Sequence, residues 1–217
     1  MARRAHGFTL IELMVAIAAM ALLALMSWRG LDAMGRAQAQ NRERGDAVLT
    51  LQTTLAQWGA DLDAMVALPQ TSAIDWDGRV LRLTRRSTDS ATPMVLVVAW
   101  TLRPQTTGGA HWRRWQSPGF TTRAEWQQAW AQAAAWAADG SSNTGVADVD
   151  LIPLDGWQIA YFRNDAWTPA VSAAALGSTT STLPDGVRLV LSLPPGPALA
   201  GLLTRDWVRP SLTVPKS

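Results

Sequence analysis

His6-Gly7-Phe8-Thr9-Leu10-Ile11-Glu12-Leu13-Met14-Val15 decides how the rest of this chain is read. A short leader carrying Arg3 and Arg4 ends at Gly7, and an apolar run opens at Phe8 and continues to Trp28. Glu12 is the only charged side chain in that run. The run is long enough to cross a bilayer as a helix, which takes ~20 residues. A carboxylate in lipid costs roughly 2.5–3.5 kcal/mol or more, so Glu12 points to a partner and a purpose. A cut between Gly7 and Phe8 would create a free α-amine four residues before Glu12. That amine and the carboxylate can neutralise each other, within one subunit or between neighbours. The glycine precedes the apolar run and no Ala-x-Ala site closes it, unlike a secretory signal peptide, so such a cut leaves the anchor on the mature chain. The basic leader stays cytoplasmic by the positive-inside rule, which sends the C-terminal bulk across the membrane.

The helical pattern continues past the anchor. Arg29, Asp32, Arg36, Gln38, Gln40, Arg42, Glu43, Arg44 and Asp46 make the next turns polar. Val48, Leu51, Leu55, Trp58, Leu62 and Met65 then recur at steps of three and four, a stripe that predicts helix to about residue 67, with Pro69 beyond it. Unbroken, this helix is about 60 residues and ~90 Å long at 1.5 Å per residue. Gly30, Gly35 and Gly45 each weaken its middle by ~1 kcal/mol relative to alanine, which leaves room for a kink there. The stripe has two outlets, a coiled coil or a strand-rich head, and strands follow at once. Short strands are expected around Ile74 and over 80–84, flanking the turn Asp75-Trp76-Asp77-Gly78. Residues 94–102 read as a buried strand, and 111–115 alternate within a loop running from 104 to 120. Thr122-x-x-Glu125 fits a capping box at the head of a short alanine-rich helix that Gly140 stops, and a polar linker covers 139–147. Further strands are expected at 148–153, 157–163, 187–193 and 207–214, with a small-residue, mobile stretch over 172–182.

Gly7-Phe8-Thr9-Leu10-Ile11-Glu12 resembles the processing site of type IV pilins and type II secretion pseudopilins. The resemblance implies cleavage between Gly7 and Phe8 by a membrane-embedded prepilin peptidase, N-methylation of Phe8, and a role for Glu12 in pairing with a neighbour's amine during filament assembly. Further segments are similar to the J-type minor pseudopilins of type II secretion. They are Trp28-Arg29-Gly30-Leu31-Asp32, Asp155-Gly156-Trp157-Gln158-Ile159-Ala160-Tyr161-Phe162 with Trp167, and Leu183-Pro184-Asp185-Gly186-Val187-Arg188-Leu189-Val190-Leu191. The region 104–147 matches no pattern of that type. The fold implied is α+β and pilin-like: a cleaved leader (1–7), a transmembrane or filament-core helix (8–28), its periplasmic continuation (29–68), and an antiparallel β-rich head (69–217) with a helix near 122–138. The partners implied are I-type and K-type minor pseudopilins, the major pseudopilin, the prepilin peptidase, the inner-membrane assembly platform and the lipid bilayer. A minor type IV pilin of a pilus or DNA-uptake machine shares the same N-terminal motif and stays open as the alternative.

Composition limits the other classes. The chain has 217 residues and a formal charge of +2, which falls to neutral once Arg3 and Arg4 are gone. Its basic residues are almost all scattered arginines, so no nucleic-acid partner is expected. With no cysteine there are no disulfides, thiolate metal sites or cysteine nucleophiles. Of the two histidines, His6 leaves with the leader, and His111 alone builds neither a histidine-rich metal site nor a catalytic triad. No phosphate-binding glycine motif is present. Asp61, Asp63, Asp148 and Asp150 read as solvated or turn-forming, and a calcium site from Asp148, Asp150 and Asp155 is a minor possibility, since hard cations take six or more oxygens. Neither catalytic residues nor a cofactor nor a metal is expected, and a tethered enzyme is disfavoured. Twelve tryptophans need an account. Trp112, Trp115, Trp126, Trp130 and Trp136, with Arg113, Arg114 and Arg123 among them, fit core filling first, a protein-contact surface second, and sugar stacking in a tethered carbohydrate-binding or adhesin module third.

Overall fold

The computed structural model describes residues 9–87, 94–106, 108–139, 147–173, 175, 177, 183–196 and 199–210. Helix α1 spans Leu10–Asp63 without a break, so Gly30, Gly35 and Gly45 do not interrupt it. The chain divides into two compact units, Met1–Asp46 and Ala47–Ser217. Across the first unit, every described α1 residue up to Asp46 is exposed. In the second, the turns of α1 bury Leu51, Thr54, Trp58, Asp61 and Leu62 along one face, the stripe that the sequence spacing predicts. The helix stops at Asp63, earlier than the spacing suggests. The chain is captured there by a strand: the Val66 N–H donates to the Thr84 carbonyl (2.9 Å) and the Arg86 N–H to the Ala64 carbonyl (3.0 Å).

The head holds two antiparallel sheets. In the first, β1 (Ile74–Trp76), β2 (Val80–Arg86), β3 (Val95–Pro104), β4 (Ala110–Gln116) and β5 (Ala147–Pro153) lie side by side in chain order. Helix α2 (Arg123–Asp139) intervenes between β4 and β5. The second sheet has the order β7-β6-β8-β9, from β6 (Gly156–Arg163), β7 (Ala166–Pro169), β8 (Gly186–Leu193) and β9 (Gly201–Val208). One core cluster joins Leu51, Trp58 and Leu62 of α1, Leu83, Val98 and Trp100 of the first sheet, and Ile159, Val187 and Leu189 of the second. The opposite face of the first sheet forms another cluster, where Val80, Val97, Ala99 and Trp115 meet Trp126, Ala133 and Trp136 of α2. A strand buried on both faces cannot alternate polar with apolar residues, which is why β3 reads as a continuous apolar run.

Three strands depart from expectation. β1 takes in Asp75 and Trp76, which pair with Arg82 and Leu81 rather than belonging to the turn. β7 is too short to leave a pattern, and it follows Asn164 and Asp165, both at left-handed φ (51° and 60°), the geometry of a tight hairpin turn. The last strand begins at Gly201 (φ 95°) rather than at Trp207, which lies near its end. Residues 211–214 lie outside the described residues, as do the Gly140 helix stop and most of the 139–147 and 172–182 segments.

A Cβ on Gly186 would meet the Trp207 carbonyl oxygen at 3.1 Å and the Phe162 Cβ at 3.2 Å. The oxygen belongs to the ladder and cannot step aside, so Gly186→Ala is expected to lower stability by ~1–3 kcal/mol in denaturant unfolding. The capping box of α2 forms as expected: the Glu125 carboxylate accepts the Thr121 and Thr122 N–H groups (3.1 and 3.0 Å), while Thr122 Oγ1 accepts the Glu125 N–H (3.3 Å). These amides hold the Glu125 carboxyl below its ordinary value. A carboxyl lowered by folding stabilises above its unfolded value, about pH 4.3, and loses that contribution as pH falls through its folded one. Glu125→Gln should therefore lower the melting temperature at pH 7, with a gap that narrows as pH drops below about 4.

Candidate functional site

The described chain begins at the first turn of the apolar helix. Thr9 is its N-cap: the Leu13 N–H closes on the Thr9 carbonyl (3.3 Å), and Glu12 reaches back to Thr9. Glu12 Oε2 accepts the Thr9 N–H (3.0 Å) and the Thr9 hydroxyl (2.9 Å), and Thr9 Oγ1 accepts the Glu12 N–H (3.4 Å). Gly7 and Phe8 lie outside the described residues. Beyond Glu12, Leu13, Val15, Ile17, Leu22, Leu25 and Trp28 are all exposed, Trp28 to 72%. Helix α1 is long and apolar enough to cross a membrane once. A continuous apolar surface of this size calls for lipid or protein around it.

In the head, the most concentrated electrostatics serve packing. Asp61 is fully buried on the inner face of α1. Its Oδ2 accepts Arg114 Nε (2.7 Å) and Trp100 Nε1 (2.9 Å), and its Oδ1 accepts Arg114 Nη2 (2.8 Å), Gln57 Nε2 (3.1 Å) and an Arg85 guanidinium N–H. The expectation that Asp61 is solvated is therefore corrected. It stands three residues after Trp58 on the buried stripe, and that spacing was the available signal. Asp63 is exposed, as expected, and accepts Trp207 Nε1 (2.8 Å).

The other acidic candidates are engaged separately. Asp148 accepts Arg113 Nη2 (2.8 Å) and Trp136 Nε1 (3.1 Å). Asp150 lies 2.6 Å from His111 Nδ1 and accepts Gln105 Nε2 (2.9 Å). Asp155 is exposed and joins neither. Among the described residues no three His, Cys, Asp or Glu side chains come together as metal ligands. Tyr161 is buried, and its hydroxyl is pushed far above the ordinary phenol value by burial first and by Asp75 second, with Arg163 opposing. It stays a neutral core residue.

Most tryptophans of the head fill its interior. Trp58, Trp100 and Trp112 are fully buried, with ring centroids 5.3 Å (58–100), 5.4 Å (58–112) and 4.5 Å (100–112) apart. Trp115, Trp126 and Trp136 are buried in the α2 cluster, while Trp130 is half-buried beneath the Arg82 guanidinium at 4.8 Å. Trp126 Nε1 donates to Thr84 Oγ1 (2.9 Å), which pins the helix to β2. Core filling is the arrangement observed. The buried rings present no stacking face for a sugar.

Comparison with known proteins agrees with this division. Residues 2–28 match the family model described as the prokaryotic N-terminal methylation motif. The fold is similar to a chain of the solved GspK-GspI-GspJ complex from the type 2 secretion system of enterotoxigenic Escherichia coli. That likeness has a TM-score of 0.50 and 16% identity, and covers 76% of this chain and 99% of the other. No curated protein matches the chain. The fold is pilin-like, and a methylation motif stands at its N-terminus.

Proposed function

From a pilin-like motif on a pilin-like fold, we propose that this chain is a minor pseudopilin of a type II secretion system. Its role is structural rather than catalytic. The observation that carries the reading is the N-terminal methylation motif running directly into a capped apolar helix with one acid, Glu12, in its first turn. The prepilin peptidase cuts between Gly7 and Phe8 and Phe8 is methylated. The anchor stays in the inner membrane with the leader side cytoplasmic, and the head folds in the periplasm. The apolar helix leaves lipid only for a bundle of equally apolar sister helices, and Glu12 sets the register of that exchange by pairing with a neighbour's amine. The J-type assignment places the subunit at the pseudopilus tip with I-type and K-type partners, next to the major pseudopilin and the inner-membrane platform. There it primes assembly and helps drive folded proteins through the outer membrane. The motif fits a minor type IV pilin of a pilus or DNA-uptake machine equally well.

Mass spectrometry of the protein isolated from membranes tests the first step. The expected N-terminus is a Phe8 carrying one methyl group, and a chain that starts at Met1 overturns the proposal. Co-purification with I-type and K-type neighbours separates the secretion tip from a pilus.

A further inference from the structure

Asp61 has spent its acceptors, while Arg114 keeps a donor. The Asp61 carboxylate takes five hydrogen bonds on two oxygens, which offer about four lone-pair sites between them. Arg114 gives Nε and Nη2 to Asp61, and Nη2 also to Gln116 Oε1 (2.9 Å). Its Nη1 makes no hydrogen bond among the described residues and is not sealed from solvent. Beside it lies a cavity of about 230 Å³ whose walls include Gln57, Arg85, Ser87, Leu96, Arg114 and Gln116, all within the head unit. At ~30 Å³ per water this is room for roughly seven waters, or for a carboxylate with the short stem that carries it. Arginine does not shed its proton, so a guanidinium only 8% exposed is satisfied by acceptors alone. We propose that this cavity is a binding site for a carboxylate, held by Arg114 Nη1 and the Gln116 side-chain amide. The two donors belong to side chains already bonded to each other, and a planar group with two oxygens offers an acceptor to each. A phosphate dianion would bring a second negative charge close to Asp61, whereas a carboxylate brings one. Leu96, buried on the cavity wall, suits a carbon stem. The carboxylate is that of a free small acid or of an acidic side chain on another protein, and the chemistry of recognition is the same. The site does not depend on the secretion reading.

The full-length chain in neutral-detergent micelles tests this, with sodium acetate exchanged for sodium chloride at constant ionic strength. Acetate is expected to raise the melting temperature saturably. It should also shift the Gln116 side-chain amide signals in a 1H–15N spectrum, the pair that Gln116→Glu removes. Gln116→Glu sets a carboxylate where an oxygen already accepts from Arg114, so the variant should melt at or above wild type. Its response to acetate should need about tenfold more acetate or worse, the size of a hydrogen bond to a charged group. A blocked tripeptide with a central glutamate, run beside its glutamine twin, separates the sources. Saturation at lower concentration by the glutamate peptide assigns the site to a protein side chain, and saturation by acetate alone assigns it to a free acid. Inorganic phosphate that saturates before either overturns the choice of carboxylate. Acetate that does no more than chloride in wild type, or acts equally on Gln116→Glu, overturns the site. A response that appears only after Asp89→Asn means that the acid two residues past Ser87 fills the cavity, and overturns it likewise.

Discussion

Asp61→Ala is expected to destabilise the head by about 3–5 kcal/mol. The substitution removes one fully buried carboxylate and takes the shared acceptor from the groups that converge on it: the Arg85 and Arg114 guanidiniums, the Trp100 indole and the Gln57 amide. Breaking a buried ion pair from one side costs more than the pair contributes, because the surviving charge has lost both its solvent and its counter-ion. Asp61→Asn keeps an oxygen for the indole but not the charge for the arginines, so its loss should be smaller. Thermal unfolding of the full chain, followed by tryptophan fluorescence, reads both. A fall of roughly 6–20 °C is expected for alanine, from about 3–5 kcal/mol at about 2–4 °C per kcal/mol for a chain of this size. An alanine variant that melts within about 2 °C of wild type would show that the cluster carries little stability.

Glu12→Leu should strongly impair assembly while leaving processing and membrane insertion intact. Leucine in place of the carboxylate makes the anchor more at home in lipid by roughly 2.5–3.5 kcal/mol or more, and under the proposed function it removes the acid that sets register among sister helices. Both effects keep the subunit in the membrane. Recovery with the filament is expected to fall by at least tenfold, about 1.4 kcal/mol, with the mature N-terminus still at Phe8. Normal recovery would sink the idea that the acid guides assembly.

The long helix, its buried stripe, the capping box at Thr122 and most strands are legible in the sequence because each leaves a local signal. Periodicity marks the stripe at Leu51, Trp58 and Leu62, and reciprocal spacing marks the cap. Three features were harder. The end of α1 is set by a strand pairing with Val66, a non-local event that Pro69 does not report. β7 is four residues long and depends on a turn at Asn164 and Asp165 with no glycine to announce it. Asp61 shows how composition misleads. An aspartate is solvated by default, and only its place on the stripe, with arginines brought from β2 and β4, makes burial tolerable. For the candidate site, the motif and Glu12 are legible, and Thr9-x-x-Glu12 carries the same capping spacing as Thr122-x-x-Glu125, hidden at the head of an apolar run where a lone acid points first to a partner in another chain.

The shared core cluster also fixes a sequence of events in time. The α1 stripe leaves the ribosome before any strand, and its companions Val187 and Leu189 come near the very end of the chain. The head cannot close until those late strands have emerged, so the face of Leu51, Trp58 and Leu62 that meets the second sheet waits for them after the first sheet is made. Contacts between such distant segments make for slow closure. In a chain of this design the last strands to be made are the ones that seal the core.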